Sequence, residues 1–570
     1  MRVTLRTNTS QKEYRPTSKG EEDERSPALL RATARVRLVD SLERDQGGAS
    51  GRREATAVSL AVEPEISIDG HRLRLEDVEA IAVHGRPARV TEAAWRAVDA
   101  ARMSVERQVQ RGAVIYGVTT GFGRLANVAV PPSQAGSLQL NLVRSHAAGT
   151  GAPLSIPQVR AAQVLRVSTL AAGHSGVRRE VVQLALELLN RGVTPYVPGQ
   201  GSVGASGDLA PLAHMTLTLL GEGDAYFGEQ RMPADEALAR AGLAPIILQP
   251  KEGLSLVNGT EVMTGIAALA LLRAERLIAA ADVIGAMSLE GFLGTDRVFD
   301  DRINRLRPHP GQMHVAENLR KLLASSEIMQ SHRDCGRVQD PYSFRCIPVV
   351  HGAVRDAAAY ARRVFEIEAI SVTDNPLVFP EDDEFLTGGN FHGQPVALAC
   401  DVLKTAMAEL ASISERRLFL LLNAQERGLP LFLAPQSGVQ SGLMLVQYTA
   451  ASLVSENKGL AWPNSVDSIP TSAGQEDHVS MGTIAARNLD RVLENVEGAL
   501  ACELLGALAA SDARRPLGSG AGTQAAYAAG RAAVAPLTED RPPAPDIEAL
   551  RELLRSGALV AAVEAAVGAL

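Results

Sequence analysis

Aromatic side chains make up only 4% of this 570-residue chain, and two of them are tryptophans. With a formal net charge of -8, that scarcity excludes a base-stacking or phosphate-tracking surface, so no nucleic-acid partner is expected. Cysteine is scarce too. Cys335, Cys346, Cys400 and Cys502 have spacings that match no zinc or disulfide pattern, and so few in so long a chain point to packing roles in a reducing compartment. Long hydrophobic runs are missing. The run from Ile266 is broken by Arg273, Glu275, Arg276 and Asp282, short of the roughly 18 residues a membrane span needs. The N-terminus lacks the apolar core of a signal peptide and carries Glu21, Glu22, Asp23 and Glu24, which a transit peptide avoids. A cytoplasmic protein with no membrane association is the expectation.

What is present is a large supply of core residues: 46% of the chain is hydrophobic, which excludes global disorder. Residues 1–60 form a polar tail, exemplified by Ser18–Ser26 and Gln46–Arg53, that buries little apolar surface. A short helix around Pro27–Leu42 is compatible with it, and either disorder or a start codon placed too far upstream accounts for the tail. The globular part begins near Ile66-Ser-Ile-Asp-Gly-His71, which reads as a short hairpin with Asp-Gly at its turn. Glu92–Gln110 has helical composition. Beyond it, Glu261–Glu290, Val349–Ala369, Val396–Leu422, Ser437–Asn457 and Thr483–Leu508 have the length and apolar spacing of mutually buried helices, with Pro and Gly between them. Asp546 follows a Pro-rich break as a candidate N-cap. The pattern predicts a mainly α fold in three parts: the tail, a smaller loop-rich domain over 61–262, and a long-helix bundle over 263–570. There is no internal repeat.

The most informative stretch is Gly201-Ser-Val-Gly-Ala-Ser-Gly-Asp-Leu-Ala-Pro-Leu-Ala-His214. At its centre, Ala205-Ser206-Gly207 can cyclise on itself. Attack of the Gly207 amide nitrogen on the Ala205 carbonyl closes a five-membered ring, and loss of two waters leaves a methylidene where the Ser206 hydroxymethyl stood. Gly207 suits this because it lacks a Cβ, so the backbone reaches the compressed geometry of attack. Ala-Ser-Gly alone also suits an ordinary glycine-rich turn before a helix.

The longer stretch resembles the signature of the aromatic amino acid ammonia-lyases and aminomutases that carry 4-methylidene-imidazol-5-one (MIO). Further segments resemble the same family, in order, over roughly residues 66–520. In Tyr116-Gly-Val-Thr-Thr-Gly-Phe-Gly123 the resemblance makes Tyr116 the base that removes a substrate proton, which needs a phenol pKa lowered from about 10. In Lys251-Glu-Gly-Leu-Ser-Leu-Val-Asn-Gly-Thr260 it places Asn258 at the prosthetic ring and the amine. In Val338-Gln-Asp-Pro-Tyr-Ser-Phe-Arg345 it makes Arg345 the clamp for the substrate carboxylate, a role suited to the two parallel hydrogen bonds of a guanidinium; Gln339 and Tyr342 would line the same site. In Gly388-Gly-Asn-Phe-His-Gly-Gln-Pro395 it gives Asn390 a substrate or arginine contact and Phe391 a pocket wall. His392 has no second ligand at helical spacing and reads as a structural histidine, not a metal ligand. The resemblance further implies a homotetramer, an amino-acid substrate, and no metal.

Two places bear on the substrate's ring. Ser145-His146 resembles the histidine-acting branch, where phenylalanine-selective relatives place Phe-Leu and many tyrosine-selective lyases His-Leu; some tyrosine aminomutases also carry Ser-His. In Thr471-Ser-Ala-Gly-Gln-Glu-Asp-His478, Glu476 resembles the glutamate of the histidine branch, where other branches have an amide. A carboxylate facing an imidazole N–H makes a charge-assisted hydrogen bond, whereas a phenyl ring would leave Glu476 buried and unpaired. A charge pair with Asp477 at a helix N-terminus is the plainer reading of Glu476. The resemblance thus implies non-oxidative elimination of ammonia from histidine to give trans-urocanate. A phenylalanine or tyrosine ammonia-lyase or an aminomutase is the alternative within the family, and a helical scaffold without catalysis is the alternative outside it.

Overall fold

The computed structural model describes residues 65–570; the tail and its short helix at 27–42 lie outside the described residues. The first departure from expectation comes at once. Ile66–Ile68 does not turn back on itself but pairs in parallel with Ala88–Val90. The Asp-Gly signal was a turn of another kind: Asp69 Oδ1 accepts from the His71 and Arg72 N–H groups at 2.8 and 2.7 Å, steering the chain into the helix Leu75–Ala82. Parallel strands need such a crossover, which a two-residue turn cannot supply. Gly70 has φ +80°, and a Cβ there would stand 2.4 Å from the Ala172 backbone nitrogen, so the turn is wedged against the end of the helix Ile156–Ala171.

The architecture is mainly α. Glu92–Gln110 forms the expected helix, started by Thr91, whose hydroxyl accepts from Ala94 N–H. Four further expected helices are Glu261–Phe292, Ile347–Ala369, Gln394–Leu422 and Gly482–Arg514. They pack side by side, with Met444–Leu460 against the last. Glu261–Phe292 is buried on nearly every face, which explains why its sequence is apolar all round. Residues 63–570 form one compact unit, and the division expected at 262/263 falls inside this helix.

Two expected boundaries are corrected. The helix expected from Ser437 begins at Met444, because Gly438 and Gly442 take positive φ and the Ser441 and Gly442 N–H groups go to the Asp540 carboxylate. Asp546 is not an N-cap: the helix already starts at Ala544, and Asp546 lies in its first turn, paired with Arg541 at 2.8 Å.

The bundle core also encloses charge. Arg417 binds Glu503 through Nε and Nη2 at 2.5 and 2.8 Å, with both side chains fully buried. Beside them His351 Nδ1 meets Asp282 at 2.8 Å, and burial holds the His351 imidazole below its ordinary pKa. All four cysteines are free. Burial pushes the Cys502 thiol up to about 12, so this sulfur is inert packing. No helix among the described residues is long and apolar enough to cross a membrane.

Candidate active site

The Ala-Ser-Gly tripeptide sits in a tight turn ahead of the helix Ala210–Leu219. Ser206, Gly207 and Leu209 all take positive φ, at 50, 75 and 46°. Two of them are not glycine, and such strain persists only where the surroundings over-determine it. The surroundings are visible. A Cβ on Gly207 would stand 1.9 Å from the Gly259 carbonyl oxygen, so only glycine fits there. Asp208 N–H donates to that same oxygen at 2.7 Å.

The Asp208 carboxylate then accepts from Val262 N–H at 2.6 Å and Met263 N–H at 3.2 Å, the free donors at the start of Glu261–Phe292, and from Thr483 Oγ1 at 2.8 Å. A carboxylate at a helix N-terminus satisfies donors the helix cannot. Burial, with a further contribution from Glu261, nevertheless pushes Asp208 up to about 7, against those hydrogen bonds. Ala205 is packed under Val479 and Met481. The turn is thus compressed from both sides, and the tripeptide fits the prosthetic group implied by the sequence resemblance.

Asn258 stands directly before Gly259. With its amide turned so that both neighbours are satisfied, it donates to the Ser206 carbonyl oxygen at 2.8 Å and accepts from Asn375 N–H at 3.0 Å. Closing a ring between the Gly207 nitrogen and the Ala205 carbon would leave that Ser206 oxygen as the ring's own, so Asn258 is placed to hold the ring. Asn375 Oδ1 in turn accepts from Gly388 N–H at 2.9 Å, which brings the Gly388–Gly393 loop to the same place. Asn390 is exposed there and donates to Val372 O at 3.3 Å; Phe391 is half-buried. His392 Nε2 lies 3.2 Å from His478 O, and the two rings stack at 5.7 Å.

On the other side of Ser206 stands Glu476. Ser206 Oγ donates to Glu476 Oε1 at 3.2 Å, and Thr471 Oγ1 donates to Oε2 at 2.6 Å. Glu476 lies in a loop and not at a helix N-terminus: the next helix begins at Gly482. His146, in the last turn of Ala135–His146, bonds to Ser145 Oγ at 3.1 Å. Burial lowers the His146 pKa against the opposing pull of a hydrogen bond to the Leu142 backbone and of the Glu476 charge, so the ring is electrostatically coupled to the glutamate. Tyr116 accepts from Gly123 N–H through its hydroxyl at 2.9 Å. The turn Gly123–Leu125 packs against Ser472–Gly474, which sets the tyrosine loop beside the Glu476 loop.

Gln339, Tyr342 and Arg345 are elsewhere. Gln339 and Arg345 line a cavity of about 490 Å³ with Leu293, Thr295, Arg297 and Arg337, at the far end of Glu261–Phe292 from Asn258. Thirty-two helical residues span about 48 Å at 1.5 Å each, so one chain does not bring these three residues to Ser206. The Arg345 guanidinium rests 4.6 Å from the Tyr342 ring centre, Tyr342 is 71% exposed, and the buried Arg345 Nε has no hydrogen-bond partner.

Sequence reasoning passed over Asp208, Asn375 and Thr471. Asp208 follows the tripeptide directly, but nothing in sequence marks an acid as buried. Asp374-Asn375-Pro376 reads only as a turn.

A family model described as aromatic amino acid lyase matches residues 73–532. The chain is 56% identical over 510 residues to a histidine ammonia-lyase of Sorangium cellulosum, covering 88% of this chain and 99% of that protein. It is 50% identical over 503 residues to a histidine ammonia-lyase of Myxococcus xanthus, covering 88% and 99%. Among solved structures, histidine ammonia-lyase from Trypanosoma cruzi matches with TM-score 0.83 at 40% identity, over 88% of this chain and 96% of that one. Tyrosine aminomutase from Streptomyces globisporus matches with TM-score 0.84 at 36% identity, over 89% and 100%.

Proposed function

We propose, from the premise that this chain belongs to the aromatic amino acid lyase family, that it is a histidine ammonia-lyase, eliminating ammonia from L-histidine without oxidation to leave trans-urocanate. The observation that carries this reading is Glu476, which is hydrogen-bonded to Ser206 Oγ and electrostatically coupled to His146. A half-buried carboxylate beside the electrophile rewards a substrate ring that carries an N–H and penalises one that does not. Ser145-His146 alone would also suit a tyrosine aminomutase; Glu476 favours histidine.

A 4-methylidene-imidazol-5-one formed from Ala205, Ser206 and Gly207 supplies an electrophilic carbon that no standard side chain offers. Asn258 holds that group through the Ser206 oxygen, and the Asp208–Gly259 clamp keeps the turn compressed. Tyr116 takes the β-hydrogen of the substrate, with its hydroxyl oriented by Gly123 N–H. Glu476 and His146 bind the imidazole, Ser145 orients His146, and Phe391 walls the pocket beside Asn390. Binding at several points is what fixes the β-hydrogen against the base.

The carboxylate clamp comes from a second copy of the chain. Arg345, with Tyr342 and Gln339, is too far from Ser206 within one chain. Leu398, Val402, Leu445, Tyr448, Trp462 and Val466 are exposed on neighbouring elements, apolar surface that oligomerisation covers. A homotetramer, as the family resemblance implies, meets both demands. Four free thiols accord with a reducing cytoplasm.

The test is a comparison of histidine, phenylalanine and tyrosine as sole substrates with identification of the products. Urocanate from histidine supports the reading; coumarate or β-tyrosine from tyrosine, with no urocanate, overturns it.

A further inference from the structure

One carboxylate outside the site ties its two halves together. Asp383 sits at the tip of the hairpin Leu377–Phe379/Glu384–Leu386, with φ +51°. Ser104 Oγ and Arg107 Nη2 donate to its Oδ1 at 2.6 and 2.8 Å. Arg111 Nη1 and Gln108 Nε2 donate to its Oδ2 at 2.8 and 3.1 Å, and Gln108 also reaches the Asp383 carbonyl oxygen at 2.8 Å. All four donors belong to the last two turns of Glu92–Gln110 or to Arg111, which directly follows. A surface ion pair is ordinarily worth little. A single carboxylate saturated by two guanidinium groups, a hydroxyl and an amide is a different object, because charge-assisted bonds converging on one group also fix its direction.

Both elements it joins lead into the site. From the helix, Ala113 N–H returns to Gln108 O at 3.0 Å, and Ala113 O accepts from Thr119 Oγ1 at 2.8 Å; Tyr116 lies between the two. From the hairpin, Asn375 at one end reaches Asn258, and Gly388 at the other binds Asn375. Two routes therefore join Tyr116 to the Ser206 oxygen: a short one through Gln139, which donates to Gly117 O and accepts from Leu254 N–H at 2.8 and 3.0 Å, and this one, which fixes the outer end of the loop through Asp383. We propose that Asp383 is a positioning residue for the elimination, holding the Tyr116 loop in register with the Ser206–Asn258 side of the site. The proposal rests on the functional reading above. It does not ask Asp383 to hold the fold: the hairpin is also fastened by Val378, which exchanges hydrogen bonds with His174 and packs on Ala101 and Val105.

A double-mutant cycle tests it: wild type, Asp383→Asn, Tyr116→Phe and the double variant, assayed for urocanate formation with melting temperatures alongside. Asparagine keeps the positive φ and removes the charge. A displacement near 1 Å costs on the order of 10- to 100-fold in rate, so Asp383→Asn should lower kcat about 10-fold with KM nearly unchanged. In the Tyr116→Phe background it should cost less than about 2-fold, since groups acting as a unit do not add. Arg111→Gln, at an exposed side chain, runs the same cycle should Asp383→Asn not fold, with an expected loss of about 3-fold. Equal losses in both backgrounds, or no loss in kcat, overturn the proposal while the functional reading stands. A wild-type protein inactive on histidine overturns both.

Discussion

Ser206 Oγ and Glu476 Oε1 lie 3.2 Å apart, in a hydrogen bond between the residue that would become the electrophile and the residue assigned to the substrate's ring. The carboxylate proposed to bind the ring therefore lies against the tripeptide proposed to form the electrophile. Replacing Glu476 with Gln removes the charge at constant size. A hydrogen bond to a charged group is worth about 1.5–3 kcal/mol, so kcat/KM for histidine should fall about 10- to 150-fold. Activity on phenylalanine should not fall with it. Steady-state kinetics on both substrates check this; an equal loss on both would remove Glu476 from ring selection.

The 32-residue helix between Asn258 and the Arg345 cavity makes a prediction about assembly. Tyr116→Phe and Arg345→Ala should each be nearly inactive alone. Mixed by co-expression or by reversible dissociation, they should regain part of the wild-type rate, because some sites then pair an intact Tyr116 with an intact Arg345 from another copy. Mixtures no more active than their components would show that each chain completes its own site.

One part of the pH dependence of stability follows from three histidines, His146, His214 and His351, whose pKa values burial lowers. In the unfolded chain each titrates near 6.5, so as pH falls the unfolded state takes up protons first. Their contribution is complete above about 6.5 and is lost as pH drops below it. Asp208, pushed up to about 7, is protonated in the native state first and opposes the histidines over the same range, so the histidine share is read by comparison with a variant lacking one ring. Between pH 7 and pH 5 the denaturant midpoint of His351→Gln should lose less, or gain more, than that of the wild type, because the His351 ring is wholly enclosed; an identical change in both would shift the effect to other groups.

Arg417 and Glu503 are both fully buried. Glu503→Gln leaves a guanidinium without its counter-charge in the bundle core, and breaking one side of such a pair costs about 3–5 kcal/mol. Chemical denaturation should show that loss. A loss below about 1 kcal/mol, the range of exposed pairs, would mean that water reaches the site.

Much of this was legible in the chain. The long helices declared themselves through apolar periodicity, and Glu92–Gln110 ended where its composition ended. Tyr116, Ser206, Asn258 and Glu476 could be nominated as site residues because the proposed chemistry requires those residue types in motifs that survive as local strings. What sequence could not show was pairing at a distance. The Ile66–Ile68 strand looked like half a hairpin because its true partner, Ala88–Val90, lies beyond a helix. Asp208 and Asp383 look alike as letters, yet one is enclosed at a helix N-terminus and the other is ringed by side chains from a helix some 270 residues earlier. The separation of Arg345 from Ser206 also needed three dimensions, since both belong to one ordered set of motifs.

The central claim is that Ala205, Ser206 and Gly207 make the electrophile themselves. Intact-mass measurement of the purified protein tests it most directly, with Ser206→Ala alongside. The account predicts a wild-type chain lighter than its sequence by two waters and a variant at its full sequence mass, inactive on histidine. A wild-type chain at full sequence mass would contradict it.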